Sequence, residues 1–287
     1  MRNYLDVRPS PIAGQWYSAD AGHLAASVDG YIESAVIPEF QGEPLAIVVP
    51  HAGHRYSGPV AGYAFSAVRG LKPDVVVVIS PMHYPYLEPL LTTAHSAYAT
   101  PLGEIPVDHR ALEILDSYLL GDLGFGLSRV AHDSEHSLEI ELPFLQQALA
   151  APFKLIPVMV RDQNLSVARS LGKAIVGLLS KEMASSTYLL VASSDLSHFY
   201  TQEQAKELDL RILAQIEAFD PEAVIHTEEQ GKGFACGRGA IAAVLFAARG
   251  LSGERVYILN YATSGDITGD FDRVVGYAAA LVTRSKM

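Results

Sequence analysis

The apolar positions of this chain fall into short continuous runs, and two of these runs end at a histidine. One run covers residues 46–50 and meets His51, and the other covers residues 75–82 and meets His83. Continuous apolar runs of this length are typical of strands that are buried on both faces of a sheet. Ligands of open α/β sheets bind beyond the carboxyl ends of the strands. If the two strands are parallel neighbours, the two histidines converge on one spot.

A third apolar run has the same form. It covers residues 188–192 and is followed by a polar segment that contains Asp195 and His198. This segment could be directed at the same place as the first two strand ends. Imidazole is the commonest side-chain ligand of metals in proteins. We therefore predict that the ends of these strands form a metal site.

The remaining apolar positions predict helices between the strands. The predicted helices cover residues 23–36, 59–68, 110–119, 139–150 with an interruption near Pro143, 165–179, 202–219 and 239–248. Further strands are predicted at residues 153–160, 255–261 and 273–281, and residues 84–109 are predicted to be irregular with short strands. Strands and helices alternate without a dividing linker. This alternation predicts the α/β class, as one domain over residues 1–287 with an α/β/α sandwich and a mainly parallel or mixed central sheet.

Composition narrows the classes of function. Hydrophobic residues make up 49% of the chain and charged residues 18%, which favours a sizeable core. The net charge of −11 and the lack of a basic cluster disfavour nucleic-acid binding. The sequence predicts neither a signal peptide nor membrane insertion. The single cysteine, Cys236, is typical of a reducing compartment, and we expect a cytoplasmic protein.

The predicted metal site needs more than two histidines. A metal that takes part in catalysis is held by about three protein ligands and keeps one open position. The residues that could supply the third ligand lie in loops or just after predicted strands. They are Cys236, Asp195, His198, Glu135 and His136.

Each of these candidates also has a structural interpretation. A thiolate at Cys236 would be stabilised by the following helix N-terminus, but a buried cysteine is as often a small apolar residue. Asp195 and His198 suit a carboxylate and a general acid or base, or else a capped loop before a helix. Glu135 and His136 either line a pocket or belong to a helix N-terminus. Phosphate-binding loops, nucleophile elbows and H-E-x-x-H zinc motifs are absent from the sequence.

Nine short motifs, taken in order, resemble those of one known family. They are Arg8-Pro9 with AGQWY, PHAGHRYSG, SPMH, TPLGEIPVD, EHSLEIELPFL, SSDLSHF, CGRGAI, SGD and VVGYAA. The chain resembles the Memo family, whose prokaryotic members are often called AmmeMemoRadiSam system protein B. The resemblance runs from about residue 8 to residue 279, and EHSLEIELPFL together with PHAG-x-x-YSG is its most specific part.

The resemblance implies a fold similar to class III, LigB-type extradiol dioxygenases. Those enzymes hold iron(II) with two histidines and a glutamate, and they use a further histidine as acid and base. By motif, His51 and His83 match the ligating histidines, and Cys236 stands where the glutamate would be. His198 matches the acid/base histidine, and His136 matches a further catalytic histidine in contact with substrate or oxygen.

The predicted substrate pocket contains Asp195, Glu135, His54 and Tyr56. His54 stands where the family commonly has tyrosine, and Met82 stands where a small or polar residue usually precedes the second histidine. Both differences concern the residues around the predicted pocket. They affect the inference of a substrate more than the inference of a metal.

The leading hypothesis is a Memo-like metal-binding protein with a redox role at a site of two histidines and one cysteine. Its metal would be iron(II) or copper, with zinc as a further candidate, and its ligand a small molecule or a peptide. One alternative is a non-catalytic scaffold that binds peptides or handles metal, since animal relatives are associated with phosphotyrosine peptides. Another is an iron(II) dioxygenase that cleaves the ring of a catechol-like substrate. No oligomeric state is predicted.

Overall fold

A mixed sheet runs through the centre of the protein. A computed structural model describes residues 6–286. The predictions for residues 1–5 and 287 lie outside the described residues. The strands are β1 (Glu43–Val49), β2 (Val75–Pro81), β3 (Leu90–Thr93), β4 (Ala97–Thr100), β5 (Gly103–Pro106), β6 (Ser128–Val130), β7 (Lys154–Val160), β8 (Tyr188–Ser193), β9 (His198–Tyr200), β10 (Gly253–Thr263) and β11 (Val274–Arg284). The sheet order is β10-β11-β1-β8-β2-β7-β3-β6, with β9 on β11, while β4 and β5 pair separately.

Helices cover both faces of the sheet. They are α1 (Ala21–Ser34), α2 (His54–Ala67), α3 (His109–Leu123), α4 (Leu142–Ala148), α5 (Leu165–Gly177), α6 (Gln202–Glu217), α7 (Pro221–Glu229), α8 (Arg238–Gly250) and α9 (Gly265–Thr268). On one face, α8 packs against β1, β2, β7 and β8 and carries α5 and α7, while α1, α2 and α4 pack together on the other. The predicted α/β/α sandwich with a mixed central sheet is confirmed.

The central strands are parallel, and this brings their carboxyl ends to one edge. Val49 of β1 pairs with Ser193 of β8, and Ile79 of β2 pairs with Ala192 of β8. The strands that precede His51 and His83 are therefore separated by β8 and are not neighbours. Strands two places apart lie about 10 Å from each other, a distance that two inward-pointing histidines can bridge.

Helix α2 begins five residues earlier than the apolar pattern predicts. Its first residue is His54, and its N-cap residue is Gly53, so no side chain caps this helix. The backbone N–H of His54 donates to the carbonyl of Trp16, so the N-terminal arm satisfies a donor of the first helical turn. The helix consequently starts almost directly at the end of β1 and fixes the short segment that carries His51.

The sequence pattern also missed four small elements and misplaced a fifth. Helices α7 and α9 and strands β6 and β9 were not predicted, because α7 has few apolar residues and the other three have only three or four residues each. The helix predicted around Pro143 is instead a 3₁₀ turn (Glu139–Glu141) followed by α4. Pro143 lies in the first turn of α4, where its missing N–H costs no helical hydrogen bond. Within residues 6–286, no helix has both the length and the apolar character that a membrane crossing requires.

Candidate metal centre

Three histidines converge at the carboxyl edge of the central strands. Each of His51, His83 and His136 offers a ring nitrogen, and these nitrogens lie within 4.8 Å of one another. The ring centroid of His51 is 5.3 Å from that of His83 and 5.4 Å from that of His136. The rings of His83 and His136 stack with centroids 4.8 Å apart. The cluster joins the ends of β1 and β2 to the loop that precedes the 3₁₀ turn.

His51 is held by the end of β8 and the segment that follows it. Its backbone N–H donates to Oδ1 of Asp195 at 2.7 Å, and its Nδ1 lies 2.9 Å from Oγ of Ser193. These contacts leave Nε2 available to the cluster. The ring is fully buried, and this burial holds the pKa of His51 well below its usual range. The imidazole is therefore neutral at pH 7 and has a lone pair to offer to a cation.

A single buried carboxylate holds the other two histidines. Glu135 accepts hydrogen bonds from the backbone N–H of His83 at 2.6 Å and from that of His136 at 3.0 Å. Its Oε1 also lies 2.9 Å from Nδ1 of His83 and 3.4 Å from Nδ1 of His136. Burial acts to raise the pKa of Glu135, but hydrogen bonding and the charge of His83 outweigh it and lower the pKa to about 2. Burial lowers the pKa of His136 to about 4, against the opposing effect of Glu135.

The N-terminal arm closes one side of the cluster. Trp16 packs on His136 with ring centroids 4.0 Å apart. Arg8 is buried and pairs with two carboxylates of the loop around His136, Asp133 at 2.7 Å and Glu139. Trp16 belongs to the AGQWY motif, and the surface on which it packs is a histidine of the candidate site.

Cys236 lies beside the cluster, next to His51. Its Sγ is 3.1 Å from Nε2 of His51 and 3.5 Å from the carbonyl oxygen of Asp195. Gln163 holds the cysteine loop, since its Nε2 donates to the carbonyl of Cys236 at 2.7 Å and its Oε1 accepts from N–H of Gly239 at 2.8 Å. Burial, reinforced by the charge of Asp195, raises the pKa of Cys236 well above its usual range. Without a cation, the sulfur is therefore a neutral thiol.

His198 and Asp195 lie on the segment that leaves β8. Nδ1 of His198 donates to the carbonyl of Leu196 at 2.8 Å, which leaves Nε2 as an acceptor. Burial lowers the pKa of His198, so the free imidazole is neutral, and burial raises the pKa of Asp195 to about 7. Phe199 follows with a φ of 66°, a left-handed conformation that costs a non-glycine residue energy. This strained residue fixes the backbone directly after His198.

The other predicted pocket residues occupy different surroundings. His54 is buried against the rings of Tyr17 and Phe144, and its Nε2 donates to the carbonyl of Ile140 at 3.0 Å. Tyr56 lies in the first turns of α2 and is 39% exposed. Glu135 is 1% exposed and holds His83 from behind. The substrate-pocket roles of these residues stay predictions.

The donor set suits a transition-metal ion. Neutral imidazoles bind such ions through one nitrogen at about 2.1 Å, while a hydroxyl or carboxylate orients the other nitrogen. Ser193 meets that requirement for His51 and Glu135 meets it for His83. The structure groups His136, rather than Cys236, with the two strand-end histidines. These residues could therefore hold an ion in a three-histidine set with a thiol alongside.

Known protein families and individual proteins match this chain over almost its whole length. Residues 8–281 match the family described as Memo-like protein. A MEMO1 family protein of Methanosarcina mazei is 35% identical over 97% of this chain and 100% of its own length. MEMO1 family proteins of Methanopyrus kandleri and Aeropyrum pernix are 32% and 35% identical and are covered over 99% and 100% of their lengths.

A solved structure shares the fold at much lower identity. An uncharacterized protein of Escherichia coli K12 aligns with a TM-score of 0.52 and 13% identity, over 83% of this chain and 99% of that one. At this identity the similarity concerns the fold alone.

Proposed function

Since this chain belongs to the Memo family, we propose that it binds a transition-metal ion through His51, His83 and His136 and uses that ion in redox chemistry. The observation that supports the proposal most directly is the convergence of three ring nitrogens within 4.8 Å. Two of the rings have their second nitrogen held by Ser193 or Glu135.

The chemistry of the donors favours iron(II) or copper, with zinc as a further candidate. Imidazole ligands suit all three metals, and a thiolate adds preference for the softer ions. A cation at the cluster would lower the pKa of Cys236, because the sulfur lies 3.1 Å from a nitrogen that would bind it. Cys236 would then join the histidines as a negatively charged donor. This arrangement extends the set of His51, His83 and Cys236 that the sequence resemblance implies.

The proposed proton-transfer residue is His198. Its Nδ1 is committed to the carbonyl of Leu196, so Nε2 can take a proton from a bound ligand. Bound iron or copper would supply electron transfer with oxygen. The protein would contribute the neutral base, and Trp16 would cover the side of the cluster at His136.

Metal titration of the purified protein under anaerobic conditions tests the binding. The variants His51→Ala, His83→Ala and His136→Ala should each lose the ion, because two imidazoles remain where three are needed. His226→Ala is the matched control, since His226 lies on α7, is half exposed and pairs with Glu229 at 3.0 Å. Equal metal content in all four variants and the wild type would rule out the assignment.

Oxygen consumption separates a redox enzyme from a protein that only holds metal. The metal-loaded protein is offered catechols, and the rate is compared with that of His198→Ala at equal metal content. Ring cleavage that depends on His198 would identify the dioxygenase-like reaction. If the loaded protein consumes no oxygen with any catechol, the dioxygenase form of the proposal fails and a metal-handling role is favoured.

A further inference from the structure

The hydroxyl of Ser193 lies within hydrogen-bond distance of three groups but has only one proton to donate. Its Oγ lies 2.6 Å from the carbonyl oxygen of Ser137, 2.8 Å from Oε1 of Glu141 and 2.9 Å from Nδ1 of His51. Ser193, Ser137 and Glu141 are all buried, so solvent cannot complete their hydrogen bonds. The positions of the protons must therefore be compatible with these three contacts alone.

Counting donors and acceptors leaves one arrangement. A hydroxyl donates once and accepts twice, whereas a carbonyl oxygen only accepts. The Ser193 proton therefore goes to Ser137, and both other partners must donate to Ser193. His51 then carries its proton on Nδ1, and Glu141 is a neutral carboxylic acid.

The surroundings of Glu141 agree with this arrangement. Burial, together with the nearby charge of Asp195, raises the pKa of Glu141 well above its usual range, and the hydrogen bond with Ser193 opposes this only in part. An ionised Glu141 would instead compete for the Ser193 proton. The buried carbonyl of Ser137 would then lose its donor and remain an unsatisfied acceptor in the protein interior.

We propose that Ser193 is a positioning residue that fixes His51 as the Nδ1–H tautomer, and that Glu141 completes this arrangement as a buried neutral acid. The role rests on the proposed function, because its consequence is that the lone pair of Nε2 already faces Cys236 and the metal position. With the opposite tautomer, a proton on Nε2 would have to leave before a cation could bind. Neither residue touches the proposed metal, so each acts through His51.

Nitrogen-15 NMR of the metal-free protein tests the tautomer. Protonated and unprotonated ring nitrogens resonate in separate regions, and His51→Gln assigns the signals. Wild type should carry the proton of His51 on Nδ1, and Ser193→Ala should shift the population toward Nε2–H. A wild-type ring protonated on Nε2, or an unchanged tautomer in Ser193→Ala, would overturn the proposal.

Infrared spectroscopy of the same protein tests Glu141. Wild type at pH 7.5 should show the carbonyl stretch of a protonated carboxylic acid, and this band should be lost in Glu141→Gln. The amide of Glu141→Gln can still donate to Ser193, so this variant should fold and keep the His51 tautomer. A spectrum without a neutral acid band that is sensitive to Glu141→Gln would overturn the assignment of its proton.

Metal titration then connects the two proposals. Ser193→Ala should bind the ion about 10- to 100-fold more weakly, and Glu141→Gln should bind it as wild type does. If wild type binds no metal, the proposed function fails, while the tautomer and infrared measurements still decide the arrangement of Ser193 and Glu141.

Discussion

The sulfur of Cys236 lies 3.1 Å from Nε2 of His51, although the two residues are 185 positions apart in the chain. At this distance the thiol can donate to the lone pair of a His51 ring that carries its proton on Nδ1. The same lone pair is the one that Ser193 leaves available to a cation. The thiol and a metal ion therefore compete for His51, unless the thiol loses its proton and becomes a donor itself.

Replacing Cys236 separates these two outcomes. Cys236→Ala should retain the metal but bind it about 10- to 100-fold more weakly, because three imidazoles remain and one adjacent donor is lost. Cobalt(II) is a useful probe, since its thiolate charge-transfer band should be present in wild type and missing in the variant. Unchanged affinity and an unchanged cobalt spectrum would exclude the sulfur as a ligand.

Glu135→Gln should weaken the site without removing a proposed ligand. An amide has the shape of the carboxylate but carries no charge, and its NH₂ group would oppose the backbone N–H of His83 or His136. We expect metal affinity to fall about 10- to 100-fold and the free energy of unfolding to fall by about 1–3 kcal/mol. Glu229→Gln is the control, since Glu229 is exposed on α7. If both variants behave alike, Glu135 does not orient the histidines.

The strand-end histidines could be predicted because their environment is local. His51 and His83 follow apolar runs, and parallel strands deliver their carboxyl ends to one edge whatever the loops do. The grouping of His136 with them has no such local signal. Its loop is placed by the ion pairs of Asp133 and Glu139 with Arg8. Arg8 lies in the N-terminal arm, more than 120 residues away from both carboxylates in the sequence.

The fold shows the same division between local and distant causes. The long apolar strands and amphipathic helices were predicted from periodicity, but the start of α2 at His54 depends on a carbonyl that Trp16 supplies from the N-terminal arm. Ser193 was also missed as a partner of His51, and Glu141 as a partner of Ser193. In the sequence pattern, Ser193 is an ordinary last residue of a strand and Glu141 is an ordinary helix residue. Only the distance between their side chains shows that they are partners.

The Arg8 ion pairs should contribute strongly to stability. Arg8→Met would leave the carboxylates of Asp133 and Glu139 buried without a positive partner, and it should lower the free energy of unfolding by about 3–5 kcal/mol. Arg69→Met breaks a pair with Glu33 whose side chains are 50% and 61% exposed, and it should cost less than about 1 kcal/mol. Urea denaturation measures both, and equal losses would mean that burial does not set the strength of these pairs.

Two helical glycines should respond in opposite directions to alanine. A Cβ at Gly62 would lie 2.3 Å from the carbonyl oxygen of Tyr31, so Gly62→Ala must push α1 away from α2. We expect it to destabilise the protein by about 1–3 kcal/mol. A Cβ at Gly30 of α1 meets nothing within 4 Å, and Gly30→Ala should stabilise by about 0.5–1 kcal/mol through its helix propensity. Thermal unfolding compares them, and two shifts of the same sign would contradict this account.

His54 should make the fold sensitive to mild acid. Burial lowers its pKa from 6.5 to about 4, because the ring lies against Tyr17 and Phe144. Between these two values the unfolded chain binds a proton that the folded protein does not, so stability falls as the pH falls from 6.5 toward 4. For this residue alone, the loss by pH 5 is about 2 kcal/mol.

The matched variant is His54→Phe, which keeps an aromatic ring between Tyr17 and Phe144 but does not titrate. It gives up the hydrogen bond to Ile140 and should be about 1 kcal/mol less stable than wild type at pH 7.5. The other buried histidines titrate in both proteins, so the difference between the two pH profiles belongs to His54. Urea denaturation at pH 7.5 and pH 5 should show the smaller loss in the variant. Parallel profiles would mean that His54 gains no proton on unfolding in this range.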